Sequence, residues 1–250
     1  MIREKLIAKD IGRGGFRWRG HEISRIEGLS DAVFAFAITL LVVSLEVPKT
    51  FAELAETMHG FGAFLVSFML LFFVWVNQYK FFRRYGLQDT LTIVLNAALL
   101  FVVLFYVYPL KFLFSFLIDR FTGGHGEVHL PNGNIALMIE SNQQMASLMV
   151  IFSLGYLAVF AVFVLLFWHA YRKRETLELN ELERFDTRES IQECALNCGI
   201  AILSLLIVIV GGAARAGLAG MAYMLTAVLM TLNGIIMGKR RRRLEDLQKV

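Results

Sequence analysis

At 250 residues, 57% hydrophobic and with a mean hydropathy of +0.60, the chain is too apolar for an ordinary soluble domain, whose apolar share is about half. The formal net charge of +4 is a membrane-topology signal and gives no reason to invoke nucleic acid. Two cysteines, Cys194 and Cys198, stand four apart inside an apolar run; this is not the spacing of a redox or zinc motif, and they read as small buried hydrophobes.

Crossing a bilayer takes roughly 20 apolar residues, and six runs qualify, near 28–47, 61–79, 91–112, 145–170, 191–212 and 217–238. The fold class expected is an all-α membrane protein of six transmembrane helices. It divides into a basic arm (1–27), one transmembrane domain (28–238) and a basic tail (239–250). Of the 25 lysines and arginines, 21 precede span one, lie in the 2–3 and 4–5 connections or follow span six; four (Lys49, Lys111, Arg120 and Arg215) fall on the other side. The positive-inside rule then puts both termini in the cytoplasm. The localisation expected is multi-pass in a prokaryotic inner or plasma membrane.

Residues 1–24 read as a partly ordered arm at the membrane surface, with Phe16 and Trp18 among headgroups. No cleavable signal peptide is expected, because no small-residue cleavage site follows the first apolar run. The first span, RIEGLSDAVFAFAITLLVVSLEVP over 25–48, carries Leu29, Ala32, Phe36, Thr39, Val43 and Glu46 at alternating spacings of three and four. That is an a/d seam, used by helices that meet around a common axis. Thr39 and Glu46 are costly in a sealed apolar core and useful against water, so this helix is read as lining something wet. Asp31 lies about 140° around the helix from Phe36, facing other helices. A carboxylate there needs a partner, with Arg25, Ser30 or an indole N–H as candidates, and would clamp the lining helix.

Pro48 ends the first helix. The second span closes in FFVWVNQYKFFRRY, where Tyr79 and Phe82 read as an interface belt and Trp75 and Asn77 sit deep enough to bond the first span. Asn96 in the third span is placed for interhelical hydrogen bonding, and Pro109 is expected to kink or end that span. Residues 113–142 form the longest outer connection. His125, Glu127 and His129 in it lack the further ligands of a metal site and read as loop. The fourth span ends in Trp168 and His169. The charged 172–190 stretch reads as a solvated cytoplasmic helix. Spans five and six look like scaffold, joined at Gly211–Ala214. KRRRR at 239–243 reads as an anchor that can touch anionic lipid.

No phosphate-cradling loop, nucleophile elbow, HExxH or CxxC occurs, so neither an enzyme nor a cofactor is expected. A potassium-filter loop of the TVGYG kind is also absent. Any selectivity must come from side chains on a helix.

The first span resembles the signature of the transmembrane protein 175 family of potassium channels: an Arg, three residues, Phe-Ser-Asp, then an apolar stretch with a Thr. Here these are Arg25, Leu29-Ser30-Asp31 and Thr39. The likeness extends to Trp75, Asn77, Asn96 and Pro109. It implies a homotetramer of six-helix units whose first helices surround the pore. The family's pore-lining positions fall on Phe36, Thr39 and Val43, and Arg25, Ser30 and Asp31 would hold the lining helix with Trp75 as a partner. The chain departs from the pattern at Leu29 for Phe, at Phe36 where Ile or Leu is usual, and at Gln78 and Tyr79 where His is frequent.

These readings combine into a K+-preferring cation channel, with Na+ weaker. Phe36 forms the narrowest ring and Val43 a second apolar ring about 10 Å away, gating by dewetting. Thr39 hydroxyls replace part of an ion's hydration shell, and Glu46 carboxylates gather cations at the outer mouth. The alternatives are a non-conducting membrane scaffold whose seam is closed and, further off, a secondary transporter.

Overall fold

The computed structural model describes residues 16–20, 22–43, 50–51, 54, 58, 60–124, 126–129 and 135–247. Six long helices dominate, because an apolar run with no water around it satisfies its backbone only within itself. They are α1 (Arg25–Val43), α2 (Phe61–Tyr85), α3 (Thr90–Phe121), α4 (Asn142–Arg172), α5 (Glu181–Gly211) and α7 (Met224–Leu247); α6 (Ala216–Met221) is a short piece before the last. By length and composition α2, α3, α4, α5 and the stretch Ala213–Leu247 can each cross a membrane.

Polar punctuation sets the helix ends. Ser24 and Glu27 form a reciprocal cap at the start of α1, Ser24 N–H donating to the Glu27 carboxylate (2.7 Å) and Glu27 N–H to the Ser24 hydroxyl (3.2 Å). Ser141 caps α4, and Asn180 with Glu183 makes a capping box at α5. Gly86 closes α2 in the left-handed region, φ +59°.

Several expectations change. Pro109 lies inside α3, which continues to Phe121; the proline costs one backbone bond, and Leu110 and Leu113 beyond it are buried in the core. The connection between α3 and α4 therefore begins after residue 121 and holds an antiparallel hairpin, β1 (Glu127–His129) against β2 (Ile135–Leu137). The 172–190 stretch is not a separate solvated helix: α5 starts at Glu181, and Glu183, Asp186 and Thr187 are buried. Span six is preceded by a 3₁₀ turn (Ala213–Arg215) and α6. Phe16 is 2% exposed, packed edge-on against Tyr85 at 5.6 Å, rather than among headgroups.

In the core α3 packs on α4, α4 on α5, and α5 on α7. The ends of α2, α4 and α7 and the starts of α1, α3 and α5 share the end of the bundle where the basic residues cluster. There Phe81, Tyr85 and Phe167 form an aromatic floor, Phe81 lying 5.2 Å from Tyr85 and 5.6 Å from Phe167. Among the described residues α1 packs on α2 and α3 and on no other long helix. It sits at the margin of the bundle with one side uncovered.

Candidate pore-lining site

The stripe that α1 buries is Ser30, Phe34, Ala37 and Leu41, at spacings of four, three and four, against α2 and α3. On its far side the seam residues Leu29, Ala32, Phe36 and Thr39 are exposed, Phe36 at 57%. In a membrane an apolar ring that bare is covered by lipid or by another chain, as are Phe101 and Phe105 on α3, each 71% exposed. Val43 ends the described part of α1, and its side chain, like all of Glu46, lies outside the described residues.

Thr39 is oriented by its own helix. Its hydroxyl donates to the Ala35 carbonyl at 2.9 Å, which commits the proton and leaves the oxygen's lone pairs as acceptors. An exposed oxygen of that kind suits a cation and has no proton left for an anion.

Three sets of bonds hold α1 in place. The first is a buried chain through three helices. Gln78 Nε2 on α2 donates to Asn96 Oδ1 on α3 at 2.6 Å, Asn96 Nδ2 donates to Ser30 Oγ at 2.9 Å, and Ser30 Oγ donates to the Ile26 carbonyl at 2.8 Å. Because Ser30 spends its proton on α1, it can only accept from Asn96, and this fixes the direction of the whole chain. The second is at the exposed edge, where Trp75 Nε1 donates to Asp31 Oδ1 at 2.7 Å. The third is towards the other end of α1, where Lys111 Nζ donates to the Leu41 carbonyl at 3.2 Å. Each interhelical bond of this sort contributes about 1 kcal/mol in a membrane.

Arg25, the first residue of α1, is exposed and makes no hydrogen bond or ion pair among the described residues. Asn77 does not reach α1; it donates to Phe73 O of its own helix at 2.8 Å. Phe82, read as part of an interface belt, is 2% exposed in the core, whereas Tyr79 is exposed and lies 5.7 Å from the Trp75 ring. His125 lies outside the described residues, as do the side chains of Glu127 and His129. Cys194 and Cys198 are both free thiols, Cys194 buried.

Two anchors were not picked out from sequence. Gln78 had a signal: it is three residues after Trp75, on the same helix face. Lys111 had another, a lone cation two residues past Pro109 within an apolar run, where a charge needs a partner.

Residues 25–106 match the family described as Endosomal/lysosomal potassium channel TMEM175. Over 232 residues the chain is 42% identical to a protein of Marivirga tractuosa named a potassium channel, covering 92% of this chain and 93% of that protein. A shorter match, 33% identical over 103 residues, reaches a protein of Streptomyces collinus also named a potassium channel, covering 39% of this chain and 50% of the relative. The crystal structure of the potassium channel MtTMEM175, a threonine-to-alanine variant in complex with a nanobody–MBP fusion, is similar at TM-score 0.78 and 41% identity, over 91% of this chain and 99% of that one. The crystal structure of a lysosomal potassium-selective channel TMEM175 homolog from Chamaesiphon minutus shares the fold, at TM-score 0.53 and 22% identity, over 84% of this chain and 96% of that one.

Proposed function

The chain belongs to the endosomal/lysosomal potassium channel TMEM175 family, and from that premise we propose that it is a K+-preferring cation channel whose filter and gate are side chains of α1. Its full-length relatives are named as channels rather than enzymes, so the chemistry is passage, not turnover. The observation that carries the reading is the uncovered seam of α1, with Phe36 bare and Thr39 presenting an oxygen whose proton is committed to Ala35.

In this reading four copies bring their α1 seams together, with both termini cytoplasmic. Phe36 forms the apolar constriction, where a hydrated cation loses water contacts that a phenyl ring does not replace. One helical turn on, four Thr39 oxygens partly restore those contacts, and Val43 forms the second apolar ring. Glu46, at the outer mouth, concentrates cations. Na+ holds its water more tightly than K+ and gains less from a hydroxyl ring, so the preference is for K+. The Ser30–Asn96–Gln78 chain, Asp31 with Trp75, and Lys111 keep α1 still enough for the ring to have one diameter. Arg25 stands exposed at the start of α1, at the membrane edge. The basic residues at 1–27 and 239–250 flank the domain in an inner or plasma membrane and meet anionic lipid.

The test is K+ and Na+ flux into liposomes holding the purified protein. Phe36→Ala should raise K+ flux by about tenfold or more, since opening an apolar constriction re-wets it, and Thr39→Ala should reduce K+ preference. Flux absent from both the wild type and Phe36→Ala, with folded tetramers shown, overturns the pore and leaves a non-conducting scaffold closed by its own phenyl rings.

A further inference from the structure

Residues 16–20 form a strap laid across the basic end of α2. Arg19 N–H and Gly20 N–H both donate to the Arg83 carbonyl, at 3.0 and 3.1 Å, and Arg83 Nη1 donates back to the Gly20 carbonyl at 2.9 Å. The approach is backbone to backbone: a Cβ on Gly20 would sit 2.5 Å from the Phe82 carbonyl oxygen, and one on Gly86 2.9 Å from that of Arg19. Four residues beyond Gly20, Ser24 caps α1. The strap is therefore the lead-in to the helix with the bare seam.

What fastens the strap is on α5. The Glu183 side chain is 1% exposed and sits ahead of the apolar run 191–212. Its Oε1 receives Arg17 N–H (2.9 Å), Arg17 Nε (3.2 Å) and Arg19 Nη1 (3.3 Å); its Oε2 receives Arg17 Nη2 (3.0 Å), Arg19 Nη2 (2.7 Å) and Asn180 N–H (3.0 Å). Burial alone would raise this carboxyl, but the bonds from Arg17, Arg19 and the backbone N–H groups outweigh it and hold it down at about 2. The same guanidinium groups bond the Leu177 and Glu178 carbonyls, and Glu178 holds a left-handed φ of +48°, which a non-glycine residue adopts where its surroundings impose it. Capping α5 uses one of the six donors on Glu183; the other five come from the strap.

We propose that Glu183 is a positioning residue for α1, fixing through Arg17 and Arg19 the angle at which the chain enters that helix. Among the described residues α1 has no packing contact with α4, α5 or α7, so apart from the packing through α2 and α3 the strap is the route by which α5 reaches the start of α1. The inference rests on the pore reading for its consequence: an entry angle left loose spreads the diameter of the Thr39 ring.

The experiment compares the full chain in liposomes as wild type, Glu183→Gln, Arg17→Gln with Arg19→Gln, and Asn180→Ala, by amide hydrogen exchange and by paired K+ and Na+ flux. Glu183→Gln and the arginine pair should each raise exchange at residues 29–34 of α1 by about tenfold and lower the K+/Na+ flux ratio. Asn180→Ala removes the cap of α5 and leaves the strap bonded, so its exchange should rise at the start of α5 alone. Exchange at 29–34 unchanged in both strap variants, or raised as much by Asn180→Ala, overturns the proposal. If Glu183→Gln fails to fold, the arginine pair decides from the strap side. A wild type without flux sinks the pore reading, and the exchange comparison still decides whether Glu183 positions α1.

Discussion

Helices α1 and α4 are both apolar, yet the bundle treats them differently. In α4 buried residues recur from Ala146 to Ala170, with α3 packed on one side and α5 on another. In α1 burial is confined to one narrow stripe, and the far side keeps a seam with Phe36 and Thr39 in the open. Polar groups differ in the same sense. Ser153 on α4 spends its hydroxyl on Ser204 and accepts from Tyr223, all within one protomer. On α1, Ser30 and Asp31 are held from behind, and the Thr39 oxygen still faces out. The contrast separates a helix that completes a fold from one the fold merely presents.

Mutations on the two helices should therefore separate stability from ion preference. The largest stability loss is expected on α4. A Cβ at Gly155 would fall 2.1 Å from the Tyr106 ring, whose hydroxyl is anchored on the Phe152 carbonyl, so the ring cannot simply swing away. Gly155→Ala should cost about 1–3 kcal/mol by overpacking, read as thermal stability in detergent, with the K+/Na+ ratio of the surviving protein unchanged. Next comes the attachment of α1. Asn96→Leu removes two interhelical bonds at about 1 kcal/mol each, so a stability loss of about 2 kcal/mol is expected, together with a fall in K+ preference in the flux assay. If Gly155→Ala shifts preference as much as Asn96→Leu does, the division of labour between the two helices is wrong.

Hydropathy and periodicity made some of this legible and not the rest, for physical reasons. A run of about 20 apolar residues reports depth in a bilayer, so the long helices could be read directly, and a 3.5 spacing reports a face, so the Leu29–Thr39 seam was visible. Asn96 stood out because an amide inside an apolar run needs a partner. Charges near helix ends carry no such signal. Glu183 lies in a stretch that reads as solvated, Arg17 and Arg19 in one that reads as an arm at the membrane surface, and only the tertiary fold turns their side chains towards one another. Gln78 was hidden by its neighbours, since Tyr79 and Lys80 make the end of α2 look like an interface. Pro109 misled because proline removes a single backbone bond, which packing of Leu110 and Leu113 outweighs.

The smallest effect gives the finest test of the contrast. Ser204 on α5 accepts from Ser153 and donates to the buried Ala219 carbonyl at 3.0 Å, a two-bond arrangement comparable with that of Asn96 but without contact to α1. The Ser153 hydroxyl can turn towards another acceptor, so the loss is carried mainly by the single bond to the Ala219 carbonyl. Ser204→Ala should therefore cost about 0.6–1 kcal/mol, less than Asn96→Leu, with K+/Na+ flux indistinguishable from wild type. Made together, Ser204→Ala and Asn96→Leu should add in stability, because no partner is shared, while preference follows Asn96→Leu alone. A flux ratio that moved with Ser204 would mean that α5 reaches the ion path, and that the open seam of α1 is not the whole of it.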